Sequence, residues 1–319
     1  MSLTNKLQAK AGTMKDNLDI AVIIPCYNEA VAITKVIQDY QQALPQAKIY
    51  VYDNNSSDDT IAVAKAAGAI VGSEMLPGKG NVVRRMFADI DADIYVLVDG
   101  DDTYDPAAAS KMIEKLQQEQ LDMVVGSRQT KEQEAYRKGH RLGNQGFNKL
   151  VSFLFGDKFD DIFSGYRVFS KRFVKTFPAE AKGFEIETEL AVHSLENRLP
   201  CAEIATQYQS RPEGSFSKLN KYRDGTKILW TVIRLLKAVR PLFFFTCIFA
   251  ALLILAALLF MPIFYEYIHT GLVARFPTAF LCMGLVLLAF LNLYTGLILS
   301  NICKNRRAQF RMAYLSFKK

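Results

Sequence analysis

The sequence predicts an α/β protein: a doubly wound, Rossmann-like domain, then an amphipathic interfacial helix and two transmembrane helices. Three observations predict it. Short apolar runs alternate with helical stretches over residues 19–126, the spacing of a parallel sheet with right-handed crossovers. The run Tyr95-Val96-Leu97-Val98 ends abruptly in Asp99-Gly100-Asp101-Asp102, and ligands bind at that end of the strands in open α/β sheets. Near the C-terminus, residues 241–261 and 278–303 carry no charged residue, and each stretch is long enough to cross a bilayer.

The elements follow in order. Residues 1–18 are a polar leader with no apolar core, so no signal peptide is expected. Asp19 to Pro25 reads as a buried strand. Asn28 then opens a helix with Glu29 in its first turn, where a carboxylate suits the dipole. Ala47 to Asp53 is a second strand, ending in a long polar cluster through Asp59, with a helix to about Ala67. Ala69 to Gly72 is a short third strand. Pro77-Gly78-Lys79-Gly80-Asn81 leads into a helix carrying Arg84 and Arg85, and lacks the spacing of a P-loop. Asp93 to Asp99 is the fourth strand. Asp105-Pro106 starts the next helix, and Asp122 to Gly126 is the fifth strand. Residues 127–142 read as a basic, mobile loop and 143–155 as a helix. A helix from Phe184 to about Arg198 and a strand from Cys201 to Tyr208 follow.

Lys218 to Arg240 is amphipathic. Ile228, Leu229, Val232, Leu235 and Leu236 form one stripe, and Lys221, Lys227, Arg234, Lys237 and Arg240 supply positive charge, as expected of a helix lying in a membrane interface. Lys237 and Arg240 flank the first apolar span; Lys304, Arg306, Arg307 and Arg311 follow the second. The positive-inside rule then puts both flanks and both termini in the cytoplasm, on the inner membrane. Neither span holds an ionisable residue, so no ion pathway is indicated. The expected domains are a leader (1–18), a catalytic domain (19–216), a juxtamembrane helix (217–240), a hairpin (241–303) and a basic tail (304–319).

Composition narrows the chemistry. The chain has 319 residues with net charge +7, which fits an anionic substrate or the inner membrane surface. Its five cysteines are scattered and its three histidines dispersed, so neither a disulfide framework nor a zinc site is suggested. The basic residues cluster near the membrane segment without an aromatic-basic motif, which argues against nucleic acid. Crowded carboxylates on one loop repel unless a cation sits among them, and hard oxygen ligands suit Mg2+ or Mn2+ shared with substrate phosphates.

Ile24-Pro25-Cys26-Tyr27-Asn28-Glu29, Asp53, Gly78-Lys79-Gly80, Asp99-Gly100-Asp101, Gly126-Ser127-Arg128 and Ser164-Gly165-Tyr166-Arg167 form an ordered set. In that set the chain resembles glycosyltransferase family 2, with its GT-A fold. Within it, the chain is most similar to the polyprenyl-phosphate sugar transferases, including dolichol-phosphate mannose synthases. The resemblance implies roles. Pro25, Tyr27 and Glu29 border the nucleotide, Asp53 reads the base, and Lys79 lies near the donor. Asp101 ligates the metal, with Asp99 on metal or nucleotide. Thr103 stands where some members place a ligating glutamine, and Asp102 offers a substitute oxygen. Arg128 binds the acceptor phosphate, helped by Arg141; Ser164 and Arg167 lie near the acceptor. Among Glu185, Glu187 and Glu189, Glu187 is chosen for a site role. Arg211 and Lys218 flank the loop over the diphosphate.

The implied reaction is inverting transfer from a nucleotide-sugar, a UDP-hexose or UDP-N-acetylhexosamine, to a polyprenyl phosphate. The implied partners are membrane lipid and a homo-oligomer. Alternatives are another lipid acceptor, or a membrane-anchored nucleotidyltransferase. Trp230, the only tryptophan, lies outside the Gln-x-x-Arg-Trp motif of processive synthases.

Overall fold

The computed structural model describes residues 18–129, 159–211, 230 and 233–317. The chain divides into two compact units, Met1–Lys218 with Lys318–Lys319, and Leu219–Phe317.

The first unit is built on a seven-stranded sheet. Its elements are β1 (Ile20–Cys26), α1 (Ile33–Ala43), β2 (Lys48–Asp53), α2 (Thr60–Ala66), β3 (Ile70–Ser73), α3 (Lys79–Asp89) and β4 (Ile94–Leu97). Then come α4 (Ala107–Gln118), β5 (Met123–Gln129), β6 (Arg167–Ser170), α5 (Lys171–Thr176), α6 (Ile186–Glu196) and β7 (Cys201–Gln207). The strand order is β3-β2-β1-β4-β6-β5-β7.

Strands β1 to β4 pair in parallel, as expected of runs apolar on both faces. The all-parallel expectation needs correcting beyond β4. Strand β6 lies between β4 and β5 and is antiparallel to both, while β5 and β7 pair in parallel. It is four residues long and follows directly on a polar motif, so no period-two pattern marks it.

Both faces of the sheet are covered. On one, Val22, Ile24, Val96 and Val168 pack with Ile33, Val36, Ile37 and Tyr40 of α1 and Met112 and Leu116 of α4. A chain of aromatic contacts links Phe87 of α3, Tyr95 of β4, Phe169 of β6 and Phe173 of α5, at centroid separations of 4.9–6.3 Å. At the far end of β5, Asp122 is fully buried. It accepts a bidentate pair from Arg172 at 2.8 and 2.9 Å and a bond from Ser170 Oγ at 2.8 Å.

Other local expectations shift. Helix α1 begins at Ile33, not Asn28. Asn28 has φ of +53° and accepts the Ser57 N–H at 2.7 Å, while Ser56 Oγ accepts the Asn28 N–H at 2.8 Å. Those bonds stitch the loop after β1 to the loop after β2. Residues 127–129 extend β5 rather than opening a loop. The expected helix over 143–155 lies outside the described residues, as does most of the amphipathic segment; residues 233–239 of it are helical.

The second unit is a helical hairpin, α7 (Pro241–Thr270) and α8 (Phe276–Ser316), both long and apolar enough to cross a membrane. Both exceed the apolar runs that announce them. Helix α8, at 1.5 Å per residue, is about 60 Å long, so the expected basic tail is its helical continuation through Ser316. Gly296 allows close packing: a β-carbon there would lie 2.9 Å from Phe245 Cβ. Arg306 and Arg307 donate to the carbonyls of Ala238 and Val239, so both basic flanks sit at one end of the hairpin. Arg275 is at the turn, 3.5 Å from Glu266.

Replacing Asp122 by Ala leaves the Arg172 guanidinium, 12% exposed, without its carboxylate. The expected loss is about 3 kcal/mol, read as a lowered thermal midpoint of the full chain in detergent. An unchanged midpoint would refute it.

Candidate active site

The site is built at the carboxyl edge of the parallel strands, where β1, β2 and β4 run out into polar loops. Four interlocked groups occupy it.

The first surrounds Asp53, at the end of β2 and 3% exposed. Its Oδ2 accepts the Ser56 N–H at 3.0 Å. Its Oδ1 is buried with no hydrogen-bond partner among the described residues. A desolvated acceptor of that kind is costly unless a ligand supplies the donor. Tyr27 stands exposed at the end of β1, Pro25 is partly exposed, and Glu29 is buried, its backbone N–H bonded to Thr60 Oγ1 at 2.9 Å.

The second is the loop from Glu74 to Gly78. Asn54 Nδ2 donates to the carbonyls of Glu74 and Leu76, both at 2.8 Å, and its Oδ1 accepts the Gly78 N–H at 2.6 Å. Only an amide offers donors and an acceptor on one short side chain. Asn54 therefore fixes the approach to Gly78-Lys79-Gly80.

The third group is centred on Lys79. Its Nζ is 2.5 Å from Asp99 Oδ1 and 2.5 Å from Glu187 Oε1, and both Lys79 and Glu187 are almost wholly buried. The glycines on either side make this possible. Gly78 has φ of +121°, and β-carbons at Gly78 and Gly80 would lie 2.2 Å from the carbonyl oxygens of Lys182 and Ala181. Gly165 closes the third side: a β-carbon there would be 2.6 Å from Asp99 Oδ2. Its N–H donates to Tyr104 Oη at 2.9 Å. Burial alone would lower the Lys79 pKa, but the Asp99 and Glu187 carboxylates outweigh it and hold the ammonium above its ordinary value. Burial pushes the Glu187 carboxyl up, against the pull of Lys79.

The fourth group holds Asp101, 4% exposed. Arg211 reaches its Oδ2 at 2.6 Å, and Thr103 Oγ1 donates to its Oδ1 at 2.6 Å. Thr103 thus orients the carboxylate. The Gln209 N–H donates to the Thr103 carbonyl at 2.9 Å, tying the segment that carries Arg211 to this loop. Burial and the neighbouring Asp99 raise the Asp101 pKa, more than Arg211 offsets. A guanidinium thus stands against the carboxylate that the resemblance assigns to a metal. Asp99 keeps 27% of its side chain exposed beside it. No group of three or more His, Cys, Asp or Glu side chains suits a metal among the described residues. Two carboxylates with phosphate and water completing the shell fit Mg2+ or Mn2+.

Other expected site residues are placed differently. Arg128 is gripped by Asp161, Nε to Oδ2 at 2.7 Å and Nη2 to Oδ1 at 2.8 Å, and its guanidinium lies over Tyr208 at 5.5 Å. Burial would raise the Asp161 pKa, but the Arg128 bonds hold it below the ordinary carboxylate range. Ser164 and Arg167 are fully buried. Ser164 Oγ donates to the Gly126 carbonyl at 2.5 Å. Arg167 donates to the carbonyls of Ser164, Ile162 and Glu187 at 3.0, 2.7 and 2.9 Å. Burial lowers its pKa to about 10. These two residues hold the loop that carries Gly165 and anchor the start of α6. Asp102, with φ of +56°, accepts from Lys35 at 2.9 Å through Oδ1. Arg141 and Lys218 lie outside the described residues. Asn54, Asp161 and Tyr208 are contributors that sequence reasoning left without a role.

The family described as Glycosyl transferase family 2 matches residues 21–177. Glycosyltransferase AglJ of Haloferax volcanii is 34% identical over 287 residues, covering 88% of this chain and 94% of that protein. A dolichyl-phosphate hexose transferase of the same organism is 28% identical over 217 residues, covering 68% of this chain and 93% of that protein. The crystal structure of Mycobacterium tuberculosis glucosyl-3-phosphoglycerate synthase with Mn2+, UDP and glucosyl-3-phosphoglycerate superposes with a TM-score of 0.57 at 22% identity. It covers 74% of this chain and 84% of that one.

Asn54→Asp keeps the size of the side chain but removes both donors and turns a carboxylate toward two carbonyls. The expected cost is roughly 2 kcal/mol, read from the denaturation midpoint. A variant as stable as the unmodified chain would show that Asn54 does not secure the loop.

Proposed function

The chain belongs to glycosyl transferase family 2, and from that premise we propose that it transfers a sugar from a nucleoside diphosphate to a polyprenyl phosphate at the cytoplasmic face of the inner membrane. The observation that carries the reading is Asp101, buried beside Asp99 at the strand edge and already holding a cationic partner in Arg211. A metal-bound diphosphate is the ligand such a pair suits. The unpartnered Asp53 Oδ1 supports a base with a ring N–H at its edge, which favours UDP while guanine has the same kind of donor. The hexose and N-acetylhexosamine donors are the candidates within that class. The two apolar helices and the dolichyl-phosphate hexose transferase relative support a lipid-linked acceptor. Basic residues at one end of the hairpin support a cytoplasmic orientation for that end.

The attacking group is a phosphate oxygen, ionised near neutral pH; it forms a bond to the anomeric carbon as the bond from that carbon to the diphosphate oxygen breaks and the nucleoside diphosphate leaves with the electron pair. No strong general base is needed. What remains is alignment and charge. Asp101 with Asp99 would hold Mg2+ or Mn2+, which neutralises charge on the leaving diphosphate when bound. Arg211, displaced from Asp101, turns its guanidinium to the same diphosphate, joined by Lys218. Arg128 exchanges Asp161 for the acceptor phosphate, with Arg141 as a second cation. Tyr27, Pro25 and Glu29 border the base. Transfer to a different lipid is the alternative within the family. The nucleotidyltransferase alternative is dropped with the family assignment.

The test offers undecaprenyl phosphate, Mg2+ or Mn2+, and radiolabelled UDP- and GDP-sugars to the full chain in nanodiscs. Label is expected in the lipid phase with one donor, and to vanish with EDTA or in Asp101→Asn. Donor hydrolysis without lipid product would overturn the acceptor; transfer undiminished in Asp101→Asn would overturn the site. In the same assay Gly165→Ala, which forces a methyl group against Asp99 Oδ2, is expected to lower kcat by about 100-fold.

A further inference from the structure

We propose that Tyr208 is a positioning residue for the acceptor: the face of its ring holds the Arg128 guanidinium as that group turns from Asp161 to the lipid phosphate. The inference deepens the proposed function and rests on its acceptor site.

The sheet register sets up the contact. Arg128 on β5 is level with Thr206 on β7, and successive side chains of a strand alternate between its faces. Tyr208, next but one to Thr206, therefore falls on the same face and is a diagonal neighbour of Arg128. The guanidinium lies over its ring, 5.5 Å from the centroid, within the range of a cation–π contact.

Asp161 and Tyr208 hold that guanidinium in different ways. The Asp161 bonds are directional, Nε to Oδ2 at 2.7 Å and Nη2 to Oδ1 at 2.8 Å. They must break before the same N–H groups can reach a phosphate. The ring attracts the cation through its negative face and occupies none of its N–H donors. That contact survives the change of partner, so the guanidinium can turn while staying on the ring.

The ring is itself fixed. The Tyr208 N–H donates to the Gln129 carbonyl at 3.2 Å, and the Gln209 N–H to the Thr103 carbonyl at 2.9 Å. Tyr208 forms an isolated antiparallel bridge with Tyr104, and the two ring centroids are 5.4 Å apart. Tyr104 is buried against Tyr166 at 5.2 Å, and its Oη accepts the Gly165 N–H at 2.9 Å. Thr103, beside Tyr104 in the chain, donates to Asp101. The platform under the acceptor arginine is thus built onto the loop that carries Asp101. Nucleophile and leaving group are then aligned by one set of contacts, which is what an in-line displacement requires.

Three variants of the full chain in detergent test the proposal: Tyr208→Phe, Tyr208→Leu, and Tyr208 replaced by pentafluorophenylalanine. The fluorinated ring keeps the packing of a phenyl group but loses the negative charge on its face, and it keeps the test open where Tyr208→Leu does not fold. Sugar transfer is measured with the UDP- or GDP-sugar that supports it. Undecaprenyl phosphate is varied at saturating donor, and donor at saturating acceptor. Tyr208→Phe is expected to keep the acceptor KM within about twofold of the unmodified chain. The leucine and fluorinated variants are expected to raise it about tenfold, with the donor KM within about twofold. An unchanged acceptor KM with pentafluorophenylalanine would make the ring a packing residue and overturn the proposal. So would a donor KM that rises in step, or Tyr208→Phe impaired as severely as Tyr208→Leu. If the unmodified chain transfers no sugar to undecaprenyl phosphate, the acceptor reading has failed, and this inference with it.

Discussion

The catalytic unit is organised by the cost of burying carboxylates. Asp53, Asp101, Asp122 and Glu187 are each at most 5% exposed, and an ionised carboxylate is tolerated at such depth only with cations or N–H donors against it. The chain meets that demand with one partner set per acid. Arg172 serves Asp122, Lys79 serves both Asp99 and Glu187, and Arg211 with Thr103 serves Asp101. Asp161, less deeply placed, has Arg128. Remote from the strand edge, at Asp122, the compensation is complete: both oxygens are bonded. At the strand edge it is incomplete at two atoms among the described residues, Asp53 Oδ1 and Glu187 Oε2. Both open oxygens of these buried carboxylates therefore lie at the strand edge, where the proposed nucleotide-sugar would bring N–H and O–H groups.

Two of those partner sets have a second consequence. Arg211 and Arg128 are the arginines expected to handle phosphate, and each is paired with a carboxylate in the absence of ligand. In the proposed function Asp101 and Asp99 would hold Mg2+ or Mn2+, and Arg211 and Arg128 would turn from their carboxylates to phosphate. With these pairs formed, neither arginine is left as an uncompensated charge in a partly buried position.

Much of this was legible in the sequence. β1, β2, β3, β4 and β5 are visible as apolar runs, and Asp99-Gly100-Asp101 is visible because a carboxylate cluster at the end of such a run has few uses. The remainder depends on contacts between distant segments. Nothing local says that Arg167 points inward, because an arginine in a loop motif usually faces solvent; only three backbone carbonyls converging on it make burial affordable. Asp161, 33 residues from Arg128, is found by topology: antiparallel β6 between β4 and β5 brings its loop beside the end of β5. Asn54 is one more polar residue of the cluster after β2 until its three bonds to the 74–78 loop are seen.

The glycines explain why the motif around Lys79 reads as ambiguous in sequence. Gly-Lys-Gly suggests a phosphate loop, in which glycines free backbone N–H groups for an anion. Here the N–H of Asn81 is directed to the carbonyls of Gly78 and Lys182, and both glycines are spent on a close approach to residues 181–182. The backbone there is turned toward the protein, and the only charged group it delivers is an ammonium facing inward between two acids. There it is the shared cationic partner of two acids, one of them almost wholly buried.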